Sequence, residues 1–161
     1  MSKSSAKAAE LIELARGKFI HIVTAESCTG GLLSAAITDI AGSSDVFERG
    51  FITYSNQSKS EMLGVPEDLI KENGAVSEEV AIAMAEGALN ISKSGLSAAI
   101  TGIAGPGGDS ADKPVGLIYI ASSLAGEGTI CEKYTFKGDR ASIRKQAVET
   151  AIEMLIDQLV D

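Results

Sequence analysis

The stretch Phe19-Ile20-His21-Ile22-Val23-Thr24-Ala25-Glu26-Ser27-Cys28-Thr29-Gly30-Gly31-Leu32 decides how the chain is read. Phe19 to Thr24 is a short, nearly continuous run rich in β-branched residues, the pattern of a strand covered on both faces. A turn containing two glycines follows, and Leu32 to Ile40 then reads as a helix ended by Gly42. Strand, sharp turn and helix in that order is how α/β proteins build a site outside the carboxyl end of a strand.

The alternation continues outward in both directions. Upstream, Ala8, Leu11, Ile12 and Ala15 recur at helical spacing and predict a helix over Ala6 to Ala15, with Gly17 as its stop. Downstream, Phe47 to Tyr54 predicts a second strand, and a short helix near Ser58 to Leu63 leads to a turn at Gly64-Val65-Pro66. Ser77, followed by Glu78 and Glu79, caps a long helix reaching Ile91. Leu96 to Thr101 reads as a buried strand with a glycine-rich loop, Gly102 to Gly116, behind it. Val115 to Ser123 and Ile130 to Phe136 form a hairpin across Gly126-Glu127-Gly128. From Arg140 onward, Ile143, Ala147, Val148, Ala151, Ile152, Leu155 and Leu159 share one apolar stripe of a last helix. The sum is an α/β/α sandwich with a mixed sheet of about five strands, in one domain over residues 1–161.

The bulk properties agree with a packed domain and narrow its partners. A chain of this length buries about 70% of the surface its unfolded form exposes, enough for a core without disulfide or metal. The net charge is −8, and no run of Lys or Arg offers the basic stripe that duplex binding needs, which argues against nucleic acid. Cys28 and Cys131 lack the paired spacing of a zinc site and read as reduced thiols of a cytoplasmic protein. Ala6 to Leu14 is interrupted by Lys7, Glu10 and Glu13, and no segment offers the roughly 20 apolar residues that span a bilayer, so neither secretion nor a membrane is expected.

Ser27 is the candidate nucleophile, although a serine before a helix also serves as a plain cap. Small residues follow it, and their N–H groups suit an oxyanion formed by attack on a carbonyl. Cys28 is the rival, read otherwise as a small buried hydrophobe. His21 is the only histidine, and six residues of strand, on the order of 20 Å, exclude it as the base. Its plain reading is a core histidine with a satisfied ring. The remaining bases lie in Tyr54-Ser55-Asn56-Gln57-Ser58-Lys59. Lysine activates serine only as a neutral amine, and the plain reading of Lys59 is a solvated helix charge. Gly42-Ser43-Ser44 and Thr101 to Gly108 are either turns or places where backbone meets an anion. Arg140 and Arg144, one helical turn apart, either pair with surface acids or meet an anionic substrate.

Taken together, Ala25 to Gly31, Gly50 to Lys59, Gly74-Ala75-Val76-Ser77, Thr101 to Pro106 and Lys113-Pro114-Val115-Gly116 closely resemble the CinA carboxy-terminal domain family, in its stand-alone form, over nearly the whole chain. The resemblance implies a three-layer α/β/α fold, a homodimer, and nicotinamide mononucleotide deamidase activity in pyridine nucleotide recycling. It implies Ser27 as nucleophile, Lys59 as base and Tyr54 as a proton relay or orienting partner. It maps Ser44, Thr101, Gly105 and Arg140 onto substrate contacts, beside the oxyanion donors near Cys28, Thr29 and Gly30. No metal or organic cofactor is implied. A nucleotide-binding module without turnover, and an amidase for another small carboxamide, are the competing readings.

Overall fold

The computed structural model describes residues 2–160. Five strands form one sheet in the order β2-β1-β3-β4-β5: β1 Ile22–Glu26, β2 Phe47–Ile52, β3 Leu96–Gly102, β4 Leu117–Leu124 and β5 Gly128–Thr135. β1 runs parallel to both β2 and β3, whereas β3, β4 and β5 are antiparallel neighbours. The sheet is therefore mixed, as expected.

Side-chain alternation along the strands divides the interior into two cores. Ile22, Leu96, Ala98, Ile100, Ile118 and Ile120 face one core with α1 (Lys3–Lys18), α2 (Leu32–Thr38) and α6 (Arg140–Leu159). Val23, Ala25, Phe51, Ala99 and Ala121 face the other, beneath α3 (Asn56–Leu63), α4 (Glu67–Asn73) and α5 (Glu78–Ser92). All five residues of β1 are buried, its two polar side chains, Thr24 and Glu26, included.

Several boundaries differ from the sequence reading. The first helix does not stop at Gly17 but runs to Lys18, where Phe19 ends it in a left-handed conformation (φ 58°) with its ring 94% exposed. Arg16 gives it cause to continue, since its guanidinium reaches Asp45 at 3.1 Å and the Gly42 carbonyl at 3.2 Å. Phe19, Ile20 and His21 therefore precede the strand, and His21 is exposed rather than a core residue. β1 instead takes in Ala25 and Glu26, so that Ser27 follows it directly. α2 ends at Thr38, β2 ends before Thr53 and Tyr54, and α3 begins at Asn56, capped by Ser55. α4, which starts behind Pro66 with Glu67 and Asp68 in its first turn, was not expected at all.

Because β1, β2 and β3 are parallel, the chain segments that leave them converge at one end of the sheet. Ser27, Thr53 and the loop after Gly102 meet there. The seat of α3 at this end is set by a close crossing with α5: a Cβ added at Gly87 would lie 2.1 Å from the Leu63 carbonyl oxygen. Glycine inside an exposed helix ordinarily costs about 1 kcal/mol relative to alanine. Here Gly87→Ala is expected to destabilise the protein by roughly 1–3 kcal/mol through overpacking, measured as a lower urea midpoint at unchanged m-value.

Candidate active site

The turn after β1 is held first by its own backbone. The Ser27 N–H donates to the Ile100 carbonyl at 2.9 Å, and the Thr53 N–H donates to the Glu26 carbonyl at 2.9 Å, so the ladder carries the chain straight into Ser27. Gly30 (φ 56°) and Gly31 (φ 109°) supply the left-handed steps that turn it into α2.

Glu26 clamps this turn from inside. Its carboxylate is fully buried and accepts four hydrogen bonds: from Thr29 Oγ1 at 2.7 Å, Leu33 N at 2.9 Å, Ser34 N at 2.9 Å and Ser34 Oγ at 2.7 Å. An acid here satisfies first-turn N–H groups of α2 that have no partner within the helix, and its charge suits the positive end of the helix dipole. Glu26 lies inside the quoted motif, yet no role was read for it. The signal was an acid immediately before a turn that opens a helix.

Lys59 approaches Ser27 from α3. It is 1% exposed, so the reading of a solvated helix charge is overturned. Its Nζ lies 3.0 Å from Ser27 Oγ, 3.0 Å from the Thr53 carbonyl and 3.3 Å from the Tyr54 carbonyl. Burial lowers its pKa below the ordinary lysine value, opposed weakly by Cys28. A neutral amine has two N–H groups and one lone pair. Carbonyl oxygens only accept, so Thr53 and Tyr54 take the two N–H bonds and the lone pair is left for the Ser27 hydroxyl proton. The protonated amine can donate to all three oxygens, and the geometry therefore serves both states.

Cys28 is 6% exposed, and burial pushes its thiol up to about 11, away from the thiolate that cysteine chemistry needs. Both cysteines are free. The Tyr54 hydroxyl accepts from Arg140 Nη2 at 3.2 Å, and it is the main-chain carbonyl of Tyr54 that touches Lys59. Arg140 Nη1 also donates to the Gly105 carbonyl at 2.9 Å. These groups border a cleft of about 450 Å³ whose lining includes Cys28, Tyr54, Val76, Gly105 and Arg140.

The other expected contacts divide by burial. Thr29 is fully buried with its hydroxyl committed to Glu26, and the Gly30 N–H donates to the Ser27 carbonyl at 3.1 Å, so it is not free for an oxyanion. Thr101 is buried and donates to the Ala75 carbonyl at 2.9 Å, pinning the segment that carries Val76. Lys113 grips the same segment through the Asn73 and Val76 carbonyls, both at 2.8 Å. Ser44 is not brought to the site: it lies in a short 3₁₀ turn before β2, at the end of the parallel strands opposite Ser27. Arg144 donates to the carbonyls of Cys28 and Thr29, and among the described residues neither it nor Arg140 forms an ion pair.

A sequence model described as the CinA C-terminal domain matches residues 4–159. The chain belongs to this family. The nicotinamide-nucleotide amidohydrolase PncC of Escherichia coli K12 is 49% identical to this CinA domain over 140 residues, which cover 86% of the domain and 84% of PncC. A CinA-like protein of Syntrophobacter fumaroxidans is 52% identical over 141 residues, covering 88% of this chain. The chain spans 33% of the length of that relative. The crystal structure of the competence/damage inducible protein CihA from Agrobacterium tumefaciens superposes with a TM-score of 0.95 at 43% identity, covering 98% of this chain and 96% of that one.

Replacing Glu26 tests how much the CinA turn owes to its inner clamp. In Glu26→Gln, whichever way the amide is turned, its NH₂ faces a buried main-chain N–H of Leu33 or Ser34. A loss of roughly 1–3 kcal/mol in chemical denaturation is expected, and stability equal to the parent would show that the clamp is dispensable.

Proposed function

We propose that this CinA domain hydrolyses the carboxamide of nicotinamide mononucleotide to nicotinic acid mononucleotide and ammonia, with Ser27 as nucleophile and Lys59 as base. The observation that carries the reading is the buried Lys59 amine 3.0 Å from Ser27 Oγ, with the Thr53 and Tyr54 carbonyls as its other hydrogen-bond partners. The similarity to PncC, whose name states the same class of reaction, supports the choice of substrate.

The chemistry follows from the geometry. Ser27 Oγ attacks the carboxamide carbon while Lys59 takes its proton, and the resulting ammonium is held by the Thr53 and Tyr54 carbonyls. The oxygen of the tetrahedral intermediate carries negative charge and is met by main-chain N–H groups beside Ser27. Collapse breaks the C–N bond, and Lys59 returns the proton to the leaving nitrogen, which departs as ammonia. Water, deprotonated by the same amine, then cleaves the acyl ester and restores Ser27. Arg140, at the rim of the cleft, supplies the positive charge that a phosphate-bearing substrate needs in a protein of net charge −8.

Ser27→Ala is expected to abolish ammonia release from nicotinamide mononucleotide, and Lys59→Met to lower kcat roughly 10²–10⁴-fold, with both variants retaining the parental circular dichroism. Full activity in either variant removes that residue from the mechanism. The neutral amine is the active form and burial lowers its pKa, so kcat should rise with pH through a midpoint below the ordinary lysine value of about 10.4. Nicotinamide mononucleotide should be turned over in preference to free nicotinamide and to the dinucleotide.

A further inference from the structure

Arg144 lies one helical turn beyond Arg140 on α6, but it does not line the cleft. It is partly buried and reaches the turn after Ser27, donating from Nε to the Cys28 carbonyl at 3.0 Å and from Nη2 to the Thr29 carbonyl at 3.1 Å. A guanidinium presents its N–H groups in a rigid planar fork, so gripping two successive carbonyls fixes the planes of two successive peptide units. In a trans peptide the C=O and N–H point in opposite directions. The grip on the Cys28 carbonyl therefore turns the Thr29 N–H away from the arginine. The grip on the Thr29 carbonyl turns the Gly30 N–H away likewise, and that N–H closes on the Ser27 carbonyl at 3.1 Å. This last bond fixes the Ser27–Cys28 peptide, and with it the direction of the Cys28 N–H.

Other donors of the turn are already committed. The N–H groups of Leu33 and Ser34 end on Glu26, and that of Leu32 ends on the Thr29 carbonyl at 3.0 Å. The N–H groups of Cys28 and Thr29, the two residues directly after Ser27, make no backbone hydrogen bond among the described residues. Buried main-chain N–H groups are nearly always paired, and those that are not concentrate where a ligand completes them.

We propose that Arg144 is a positioning residue for the oxyanion site: it orients and polarises the peptides of Ser27 to Gly30 so that the Cys28 and Thr29 N–H groups face the oxygen of the tetrahedral intermediate. This rests on the amidase reading above. It gives Arg144 a part different from contact with the substrate, and the two parts separate kinetically. A residue acting only on the oxyanion changes kcat, whereas a contact made equally in the ground state changes KM.

The test is kcat and KM for ammonia release from nicotinamide mononucleotide by the wild-type protein, Arg144→Met and Arg144→Lys. Arg144→Met is expected to lower kcat roughly 100-fold, the scale of an ångström-sized misplacement, with KM held within about threefold. Arg144→Lys should recover part of the loss, because lysine keeps the charge but serves only one carbonyl at a time. Added guanidinium ion at non-denaturing concentration should raise kcat in Arg144→Met and leave the wild type unchanged. A wild-type kcat in Arg144→Met, or a raised KM with kcat preserved, overturns the proposal. Should Arg144→Met lose its cooperative unfolding transition, Arg144→Lys decides: a kcat-specific loss supports the role and an unchanged kcat refutes it. A wild-type protein that releases no ammonia while binding the mononucleotide refutes the amidase reading itself, and this inference falls with it.

Discussion

The burial of one amine, Lys59 Nζ, organises the site. An ammonium removed from water is costly unless it is neutralised or fully hydrogen-bonded, and among the described residues no carboxylate pairs with this one. The surroundings answer that cost with backbone. β2 stops at Ile52, so the carbonyls of Thr53 and Tyr54 are released from the sheet and turned toward Nζ. α3 then returns the chain, with Ser55 capping its first turn through the Ser58 N–H at 3.0 Å. Leu63, at the far end of the same helix, lies against Gly87 of α5, where only a glycine leaves room. Amine position, strand end and helix crossing are one mechanical unit.

Facing this amine is a turn gripped from two sides. Glu26 draws in Thr29 and the first turn of α2, and Arg144 draws the carbonyls of Cys28 and Thr29 toward α6. The two charged side chains stand on elements more than a hundred residues apart, and each bonds to uncharged groups rather than to the other. Ser27 thereby sits on a scaffold whose parts are separately braced, the condition under which hydrogen-bond donors keep their aim during a reaction. The cleft beside it is walled by Val76 on a segment tied down by Thr101 and Lys113, and its rim carries Arg140.

Much of this was legible in the chain itself. The order of strands and helices follows from hydrophobic periodicity, and the six residues between His21 and Ser27 direct attention to the segment Tyr54 to Lys59 for the base. What was not legible depended on tertiary placement. Phe19 reads as the start of a strand because its residue type favours one, yet the helix, with Arg16 tied to Asp45 and Gly42, runs on to Lys18 and makes Phe19 its cap. Lys59 reads as a surface charge because nothing local tells that β2 will end early and bury it. The phenol of Tyr54 is what its residue type advertises, whereas its carbonyl meets the lysine. Ser44 stands in a turn before β2, which parallel pairing with β1 puts at the end of the sheet opposite Ser27, a placement that the order of residues along the chain does not disclose.

Activation of Ser27 by Lys59 requires a neutral amine within the pH range where the protein is folded and active. Its protonation is read most directly by NMR titration of the protein carrying ¹³C-labelled lysine, with the Lys59 Cε resonance assigned by its loss in Lys59→Met. The expected midpoint lies below the ordinary lysine value of about 10.4, in agreement with the midpoint of the pH–kcat profile. A Lys59 midpoint at or above the ordinary value would contradict it.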